Sequence, residues 1–432
     1  MNPFHRLGLG RFFRRPPSPP RIPTSANFNF PVLDPAIKVE EERMPTYERG
    51  LFYPVQHGDV FHSKYQVLTK LGFGVNSTVW LCRDLHDHHR YIALKVYIRG
   101  PEEEVNREVR ILKHLAAMKT AHPGRALVRT MIDEFQVPGP AWGSHQCIVY
   151  EPLLISLLHF QATLDPKSLP EDLLKGALQG LLLALDYLHS EAGVIHTDIQ
   201  AKNIIIGSEN DGIWGEWDEM EQREPSPRKR HGSYTVYKSR LFQGKKGWRG
   251  FGMPLLSDFG EARLRDDPHD GLIQPDIYRA PEVVLGMRWT EKVDIWNVGV
   301  LIWDLFEDHH LFDSRGPDGV HSDAHLLAEM VAVLGSPPVG FLRKAPRSQM
   351  YWDSLGRYPL LNGGFGIRLI QETGQWKAAV EIPENSLEDS EEYLEGENKV
   401  MFLRFMRKML CWDPEERQSA RELLTDCWLT SP

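Results

Sequence analysis

The stretch Val194 to Ile206, VIHTDIQAKNIII, constrains this chain more than any other. An apolar pair leads into His196-Thr197-Asp198, a short polar loop runs to Asn203, and a β-branched run follows that reads as a strand. Such spacing lets one loop hold a carboxylate and an amide facing a common point. Asp198 is placed to take a proton from an attacking hydroxyl, and Asn203 to offer an oxygen to a metal ion. Taken alone the loop is ambiguous, because Asp and Asn in polar loops also serve simply to make turns.

Upstream, Tyr65 to Leu71 (YQVLTKL) alternates as a strand does, and Gly72-Phe73-Gly74 separates it from Ser77-Thr78-Val79-Trp80. Glycines at 72 and 74 would let backbone N–H groups approach a triphosphate that a Cβ would obstruct. The bland alternative is a hairpin turn, and Ser77 stands where a third glycine is usual. The next strand, Tyr91 to Tyr97, sets Lys95 among apolar neighbours, where an ammonium is costly unless an anion meets it. Glu108 is the expected partner, since Val105, Val109, Ile111, Leu112 and Leu115 around it recur at helical spacing. Gln146 to Glu151 reads as a strand that Pro152 ends, leaving the main chain of Glu151 and Leu153 to bond a planar base. Ser168-x-x-Glu171 reads as a capping box that opens a long helix to Ser190, with a leucine stripe belonging to the core.

Residues 208–252 lose periodicity and gain acids, glycines and the charged run Ser226 to Arg230, which reads as an inserted, mobile segment. Beyond it, apolar Leu255-Leu256 hands over to Ser257-Asp258-Phe259-Gly260, a loop led by a carboxylate. Tyr278-Arg279-Ala280-Pro281-Glu282 and Asp294-Ile295-Trp296-Asn297-Val298-Gly299 follow, the second opening an apolar helix to about Phe306. The acidic stretch Glu381 to Glu397 reads as a solvated loop, with a docking patch as the alternative.

With 432 residues, 41% of them hydrophobic and 25% charged, the chain is long enough for two lobes with separate cores plus tails. A formal net charge of -9 argues against general nucleic-acid binding and suits basic protein partners. Cys82, Cys147, Cys411 and Cys427 are scattered without metal or disulfide spacing, which fits a reducing compartment. The longest apolar candidate, Leu173 to Leu188, is broken by Lys175, Gln179 and Asp186, so no membrane span is expected. Arg6, Arg11, Arg14, Arg15 and Arg21 precede the first acid, Asp34, a bias shared by mitochondrial presequences. Prolines 16, 17, 19 and 20 oppose the amphipathic helix such a signal needs, which favours a disordered basic tail.

In this order the pieces resemble the eukaryotic protein kinase family: glycine loop, strand lysine, helix glutamate, His-x-Asp loop, Asp-Phe-Gly, Ala-Pro-Glu and Asp-x-Trp-x-x-Gly, over roughly Tyr65 to Leu429. Ser77-Thr78-Val79-Trp80, His-Thr-Asp in place of His-Arg-Asp and the insertion after the catalytic loop are similar to the SR-protein kinases and their fungal relatives. The resemblance implies an α+β, bilobal fold. A β-rich N-lobe with one main helix would span 51–152, and a mainly helical C-lobe 153–432, behind a disordered extension over 1–50. It implies an ATP- and Mg²⁺-dependent serine/threonine kinase acting on protein, with Ser/Thr in Arg-rich segments as the substrate expectation. A monomer is expected, with no nucleic acid or membrane partner, in the cytoplasm or nucleus; the Arg-rich start leaves the mitochondrion as an alternative.

The same resemblance carries roles to single positions. Gly72 and Gly74 would cover the phosphates, Lys95 would hold the phosphates with Glu108 fixing its ammonium, and Leu71 would add to the nucleotide site. Asn203 and Asp258 would bind Mg²⁺, and Asp198 would take the substrate proton. Val79, Ala93 and Ile205 would enclose the adenine, with Tyr150 as gatekeeper ahead of the hinge at Glu151 and Leu153. Glu282 would pair with Arg417, and Asp294 would brace the catalytic loop.

Departures from the family pattern fall in two pairs. Thr197 replaces the arginine that reads a phosphate on the activation segment, and no Ser or Thr lies between Asp258 and Glu282, which together imply activity without phosphorylation there. Gln200 and Pro275 replace a lysine and a threonine that usually surround the catalytic Asp, and Lys202 is the candidate replacement cation, with a solvated loop lysine as the alternative. Those two substitutions also leave a pseudokinase-like interaction module as the second reading. A small-molecule phosphotransferase of the aminoglycoside-kinase type is the third, opposed by Tyr278 to Glu282 and Asp294 to Gly299.

Overall fold

The computed structural model describes residues 18–21, 30–45, 47–87, 90–100, 102–139, 143–232, 234–242, 250–307, 309–353 and 374–431. Most of the basic tail, including Arg6, Arg11, Arg14 and Arg15, lies outside the described residues, as do 243–249 of the insertion. The chain forms two compact units. One gathers Met1–Gly100, Met131–Pro152 and Asn210–Lys245, the other Pro101–Thr130, Leu153–Glu209 and Lys246–Pro432. These units do not follow the expected cut after residue 152: the Glu108 helix gathers with the second unit and much of the insertion with the first.

The first unit is built on strands β1 (Val60–Phe61), β2 (Tyr65–Phe73), β3 (Ser77–Asp84), β4 (Tyr91–Tyr97), β5 (Met131–Pro138) and β6 (Ser144–Tyr150). They form one antiparallel sheet in the order β1-β2-β3-β4-β6-β5. Because side chains alternate along a strand, the sheet has two distinct faces. Trp80, Cys82, Ile92, Leu94, Val96, Cys147 and Val149 close one face into a core with Tyr65, Val67 and Tyr237. Directly opposed residues share a face, so the register sets Gly72, Val79, Lys95 and Ile148 in one row across the other face, with Leu81, Ala93 and Tyr150 in the next.

The insertion departs from the mobile segment its sequence suggests. A helix (Gly212–Arg223) buries Trp214 and Trp217, and a hairpin pairs Arg228–His231 with Tyr234–Tyr237, whose last residue enters the sheet core. Apolar periodicity misses it because much of its burial is polar. The Glu221 carboxylate accepts from Thr69 Oγ1 at 3.1 Å, Ser226 Oγ at 2.6 Å and Arg240 Nε at 3.0 Å. Most of the charged run is likewise buried, with Arg230 exposed: Lys229 meets Glu42 and donates to the Ile37 carbonyl at 2.8 Å, while Arg228 lies 4.2 Å from the Phe30 ring centroid. Part of the expected disordered extension is therefore built in, with a 3-10 turn over Glu40–Arg43 that buries Glu41 and Glu42.

In the second unit, the helix Lys292–Phe306 is apolar on nearly all sides, as a helix buried all round must be. Gly299 permits its closest contact, since a Cβ there would stand 2.8 Å from Leu410 Cδ2. The long helix runs from Glu171 to Tyr187, starting later than a capping box at Ser168 requires. Pro170 is its N-cap, and the residue before a proline avoids helical dihedrals, so the Leu169 N–H donates instead to the Leu305 carbonyl at 2.7 Å. A π turn (Leu188–Ala192) and Gly193 at φ +61° then aim the chain into Val194. Val194–Ile195 pairs with Arg263–Leu264, and Ile204–Ser208 with Phe251–Leu256, so the loops 196–203 and 257–262 lie side by side.

The acidic stretch 381–397 is only partly solvated. Glu391 is buried, accepts the N–H of Tyr393 at 2.8 Å and faces Lys399 Nζ at 3.2 Å, behind a short helix over Leu387–Ser390. Among the described residues no helix is long and apolar enough to cross a membrane.

Lys70, fully buried on β2, meets Glu41, with Glu40 at 3.6 Å and the Tyr237 carbonyl at 3.2 Å. Removing one partner of a buried pair leaves the other charge uncompensated. Glu41→Ala is expected to lower unfolding free energy by about 3 kcal/mol in a denaturant titration, the low end of the range because Glu40 remains.

Candidate active site

Asp198 is gripped by two amides from its own loop. Asn203 Nδ2 donates to Asp198 Oδ2 at 2.7 Å and to its carbonyl at 2.9 Å, while Gln200 Nε2 donates to Oδ1. The Asn203 nitrogen is thereby committed, and its amide oxygen is the atom left to face a ligand. Burial pushes the Asp198 carboxyl above the ordinary aspartate range, against the pull of the Lys202 ammonium, and the nearby Asp258 charge adds to the rise. Asp258 is exposed at φ +68°. The Asn203 oxygen and the Asp258 carboxylate are hard oxygen donors, the type Mg²⁺ takes.

The loop's position is set from below. Asp294, fully buried in the helix Lys292–Phe306, accepts the N–H of His196 at 2.8 Å and of Thr197 at 2.7 Å, and faces His189 Nε2 at 2.8 Å. His196 Nε2 bonds the Ser257 carbonyl at 3.1 Å, and Ser257 in turn donates its N–H to the Asn203 carbonyl at 2.9 Å. The two loops are thus cross-linked by the His196 ring and by a main-chain bond. The expected brace at Asp294 is present, and so is the pair at the segment's far end: Arg417 donates to both oxygens of Glu282, at 2.7 and 2.6 Å, with both side chains buried.

Glu108 is buried in the second unit, its carboxylate 3.8 Å from where a Cβ on Gly260 would stand, with Asp258 Oδ1 at 3.5 Å from the same point. The helix glutamate and the Asp258 loop are therefore neighbours. Lys202 is exposed, and its nearby charge acts on Asp198. Ile205 sits in the strand Ile204–Ser208, and Leu153 precedes Leu154, whose N–H donates to the Ile206 carbonyl at 2.9 Å.

In the first unit, Val79, Ala93, Lys95 and Tyr150 share the sheet face described above, and Lys95 Nζ lies 4.8 Å from the Tyr97 ring centroid. Leu71 and Gly72 lie near the end of β2, and the Gly74 N–H closes the turn on the Ser77 carbonyl at 2.8 Å. No atom lies within 4 Å of a Cβ placed on Gly72, so the loop leaves room there for a phosphate chain. Glu151 carries an ion pair with Arg90 that the sequence gives no sign of.

Sequence reasoning also missed several groups around the site. Gln274, at φ +68°, donates to the Val293 carbonyl at 3.0 Å and accepts the Ala280 N–H at 2.9 Å. The Tyr278 hydroxyl donates to Asp304, which His310 Nδ1 also meets at 2.9 Å. The His310 imidazole is accordingly raised in pKa by its bond to Asp304. The only available signal was composition: Gln274 lies within the segment stripped of Ser and Thr.

The sequence profile of the protein kinase domain matches residues 65–221 and 243–429. A serine/threonine protein kinase of Aspergillus fumigatus is 69% identical over 99% of both chains. A serine/threonine-protein kinase SRPK of Physarum polycephalum is 27% identical, covering 89% of this chain and 90% of its own. Among solved structures, a kinase-domain crystal structure superposes with a TM-score of 0.64 at 20% identity, over 88% of this chain and 99% of the other, a likeness of fold.

The raised carboxyl at Asp198 has a stability consequence with a definite sign. A folded pKa above the unfolded value means that the native state binds the proton more tightly, so this group favours folding at low pH. Its contribution becomes unfavourable as pH rises through the unfolded and then the folded pKa. Asp198→Asn is expected to gain Tm over wild type at about pH 7 and to lose that advantage near about pH 4, measured by calorimetry at both pH values.

Proposed function

We propose that this chain, which belongs to the protein kinase family and is a serine/threonine kinase of the SR-protein-kinase-like group, phosphorylates serines or threonines in arginine-rich protein segments and needs no activation-segment phosphate to do so. The observation that carries the catalytic part is the Asp198 carboxylate, held by Asn203 and Gln200 and raised in pKa by burial. A base so oriented accepts the substrate hydroxyl proton as the oxygen attacks phosphorus.

ATP and Mg²⁺ are used by the family generally. In this reading Asn203 and Asp258 would hold Mg²⁺, which when bound would supply charge neutralisation at the phosphoryl group. Gly72 and Gly74 would admit the phosphates and Lys95 would bind them, with Glu108 the partner the family's pattern gives its ammonium. By the family's pattern Val79, Ala93 and Ile205 would enclose the adenine and Leu71 would add to the nucleotide site, with Tyr150 as gatekeeper and the main chain of Glu151 and Leu153 meeting the base edge. Support for phosphate independence comes from the absence of Ser and Thr between Asp258 and Glu282 and from Thr197 at the usual arginine position. Support for basic substrates comes from the net charge of -9 and from the name of the Physarum relative. The same reading has the protein working as a monomer without nucleic acid or membrane, in the cytoplasm or nucleus, where its free cysteines would stay reduced.

Lys202 is proposed as the cation that replaces the lysine missing at Gln200. Lys202→Ala is expected to lower kcat by about tenfold, on the scale of losing one charge-stabilising group in the transition state; an unchanged kcat removes the idea.

The substrate reading is tested with Mg·ATP and an arrayed peptide library that includes Arg-Ser repeats, using Asp258→Ala as control. Labelling of Arg-Ser peptides by wild type and its loss in the control are expected. Equal labelling by both proteins would overturn the enzyme reading, and labelling confined to non-basic peptides would overturn the substrate class alone.

A further inference from the structure

A kinase without a phosphate on its activation segment still has to hold that segment against the catalytic loop and the Glu108 helix. In the second unit one residue touches all of these elements. Thr197, buried and left-handed at φ +65°, donates its hydroxyl to the main-chain carbonyl of Glu261 at 2.7 Å. The carboxylate of the same Glu261 accepts from Arg107 at 2.9 Å, and the Arg107 guanidinium also reaches the Gly260 carbonyl at 3.3 Å. Arg107 lies beside Glu108 on the helix Glu102–Ala117.

The contact is part of a larger cluster. Farther along that helix Arg110 pairs with Asp267, which also accepts the Leu264 N–H at 2.9 Å. Burial alone would raise the Asp267 carboxyl, but the Leu264 N–H and the Arg110 guanidinium outweigh it and hold the carboxyl below its usual range. Arg263 brings a further guanidinium to 3.7 Å from Glu261, and burial, with the like charge of Arg107, lowers its pKa. Guanidinium groups from the helix and from the segment thus converge on carboxylates that belong to the segment itself.

A phosphorylated residue would offer such arginines about two negative charges and three acceptor oxygens. Glu261 and Asp267 offer comparable charge, permanently. We propose that Glu261 is a positioning residue standing in for an activation-segment phosphate: its carboxylate ties down the Glu108 helix through Arg107 while its carbonyl ties down the catalytic loop through Thr197. The inference rests on the reading that the enzyme works without a phosphate in this segment.

The test uses the full chain after phosphatase treatment, with peptide kinetics and Tm recorded for wild type, Glu261→Gln, Arg107→Gln and the double variant. Glu261→Gln preserves shape and the carbonyl that Thr197 uses. Both side chains are partly exposed, so each single change is expected to lower kcat about three- to fivefold with peptide KM within about twofold. The double variant should lose no more than either single, because both remove the same contact. Exchanging the charges, Arg107→Glu with Glu261→Arg, should recover most of the loss, a rescue that general loosening would not give. Singles at the wild-type rate, or losses that multiply in the double variant, overturn the role of Glu261. Treated wild type without activity overturns the phosphate-independent reading itself, whatever the variants do.

Discussion

The buried carboxylate of Asp294 is the interaction on which the site depends. A charge taken out of water is costly unless donors replace the lost solvation, and here the N–H groups of His196 and Thr197 and the ring of His189 replace it. That requirement fixes the main chain entering the catalytic loop. It also accounts for the left-handed dihedral of Thr197, a conformation that a non-glycine residue holds only when its surroundings over-determine it. With the main chain pinned there, Asp198 stands at the loop's edge and its two amide partners fix the carboxylate. The position of the Asp198 carboxylate is therefore inherited from a helix core as well as from the loop itself.

The first unit solves a different problem with the same chemistry. Its outer sheet face is covered by an insertion and an N-terminal segment that bring charges with them, and those charges are neutralised in pairs: Lys70 with Glu41, Lys229 with Glu42, Arg240 with Glu221. Such pairs contribute little net stability compared with an apolar core of the same volume, but a mispaired arrangement leaves a charge stranded. The arrangement selects one register of the insertion on the sheet. Lys70 lies on the strand that runs into Gly72, so the register chosen behind the sheet reaches the glycine loop through a single strand.

This division explains what the sequence disclosed. The apolar neighbours around Lys95 in Tyr91 to Tyr97 and the apolar run of the helix Lys292–Phe306 are burial written as hydrophobicity, and both elements fall where the pattern puts them. The order of short motifs was equally legible, because each is a local arrangement with a fixed chemical task. The insertion was not, since much of its buried surface is ionic and its partners are distant in sequence, as Thr69 and Glu221 are. The capping box at Ser168 failed for a local reason that the sequence did contain, the proline at 170. The links through Gln274 and Glu261 carry no sequence signature, because a main-chain carbonyl accepting from Thr197 does not depend on which side chain it bears.

The exchange of a lysine for Gln200 acquires a physical meaning once its geometry is known. A lysine beside the catalytic Asp does two jobs: it orients the carboxylate, and its charge stabilises the phosphoryl group in transfer. The Gln200 amide does only the first, donating to Asp198 without bringing charge. Burial is then free to raise the carboxyl, which makes Asp198 a better proton acceptor than an ion-paired aspartate would be. In the proposed reading the cation is supplied by Lys202, which lies exposed on the same loop and whose charge acts on Asp198. On that reading, orientation and charge stabilisation would be divided between an amide, which donates to Asp198, and the Lys202 ammonium. A change at either position should therefore affect one function and spare the other.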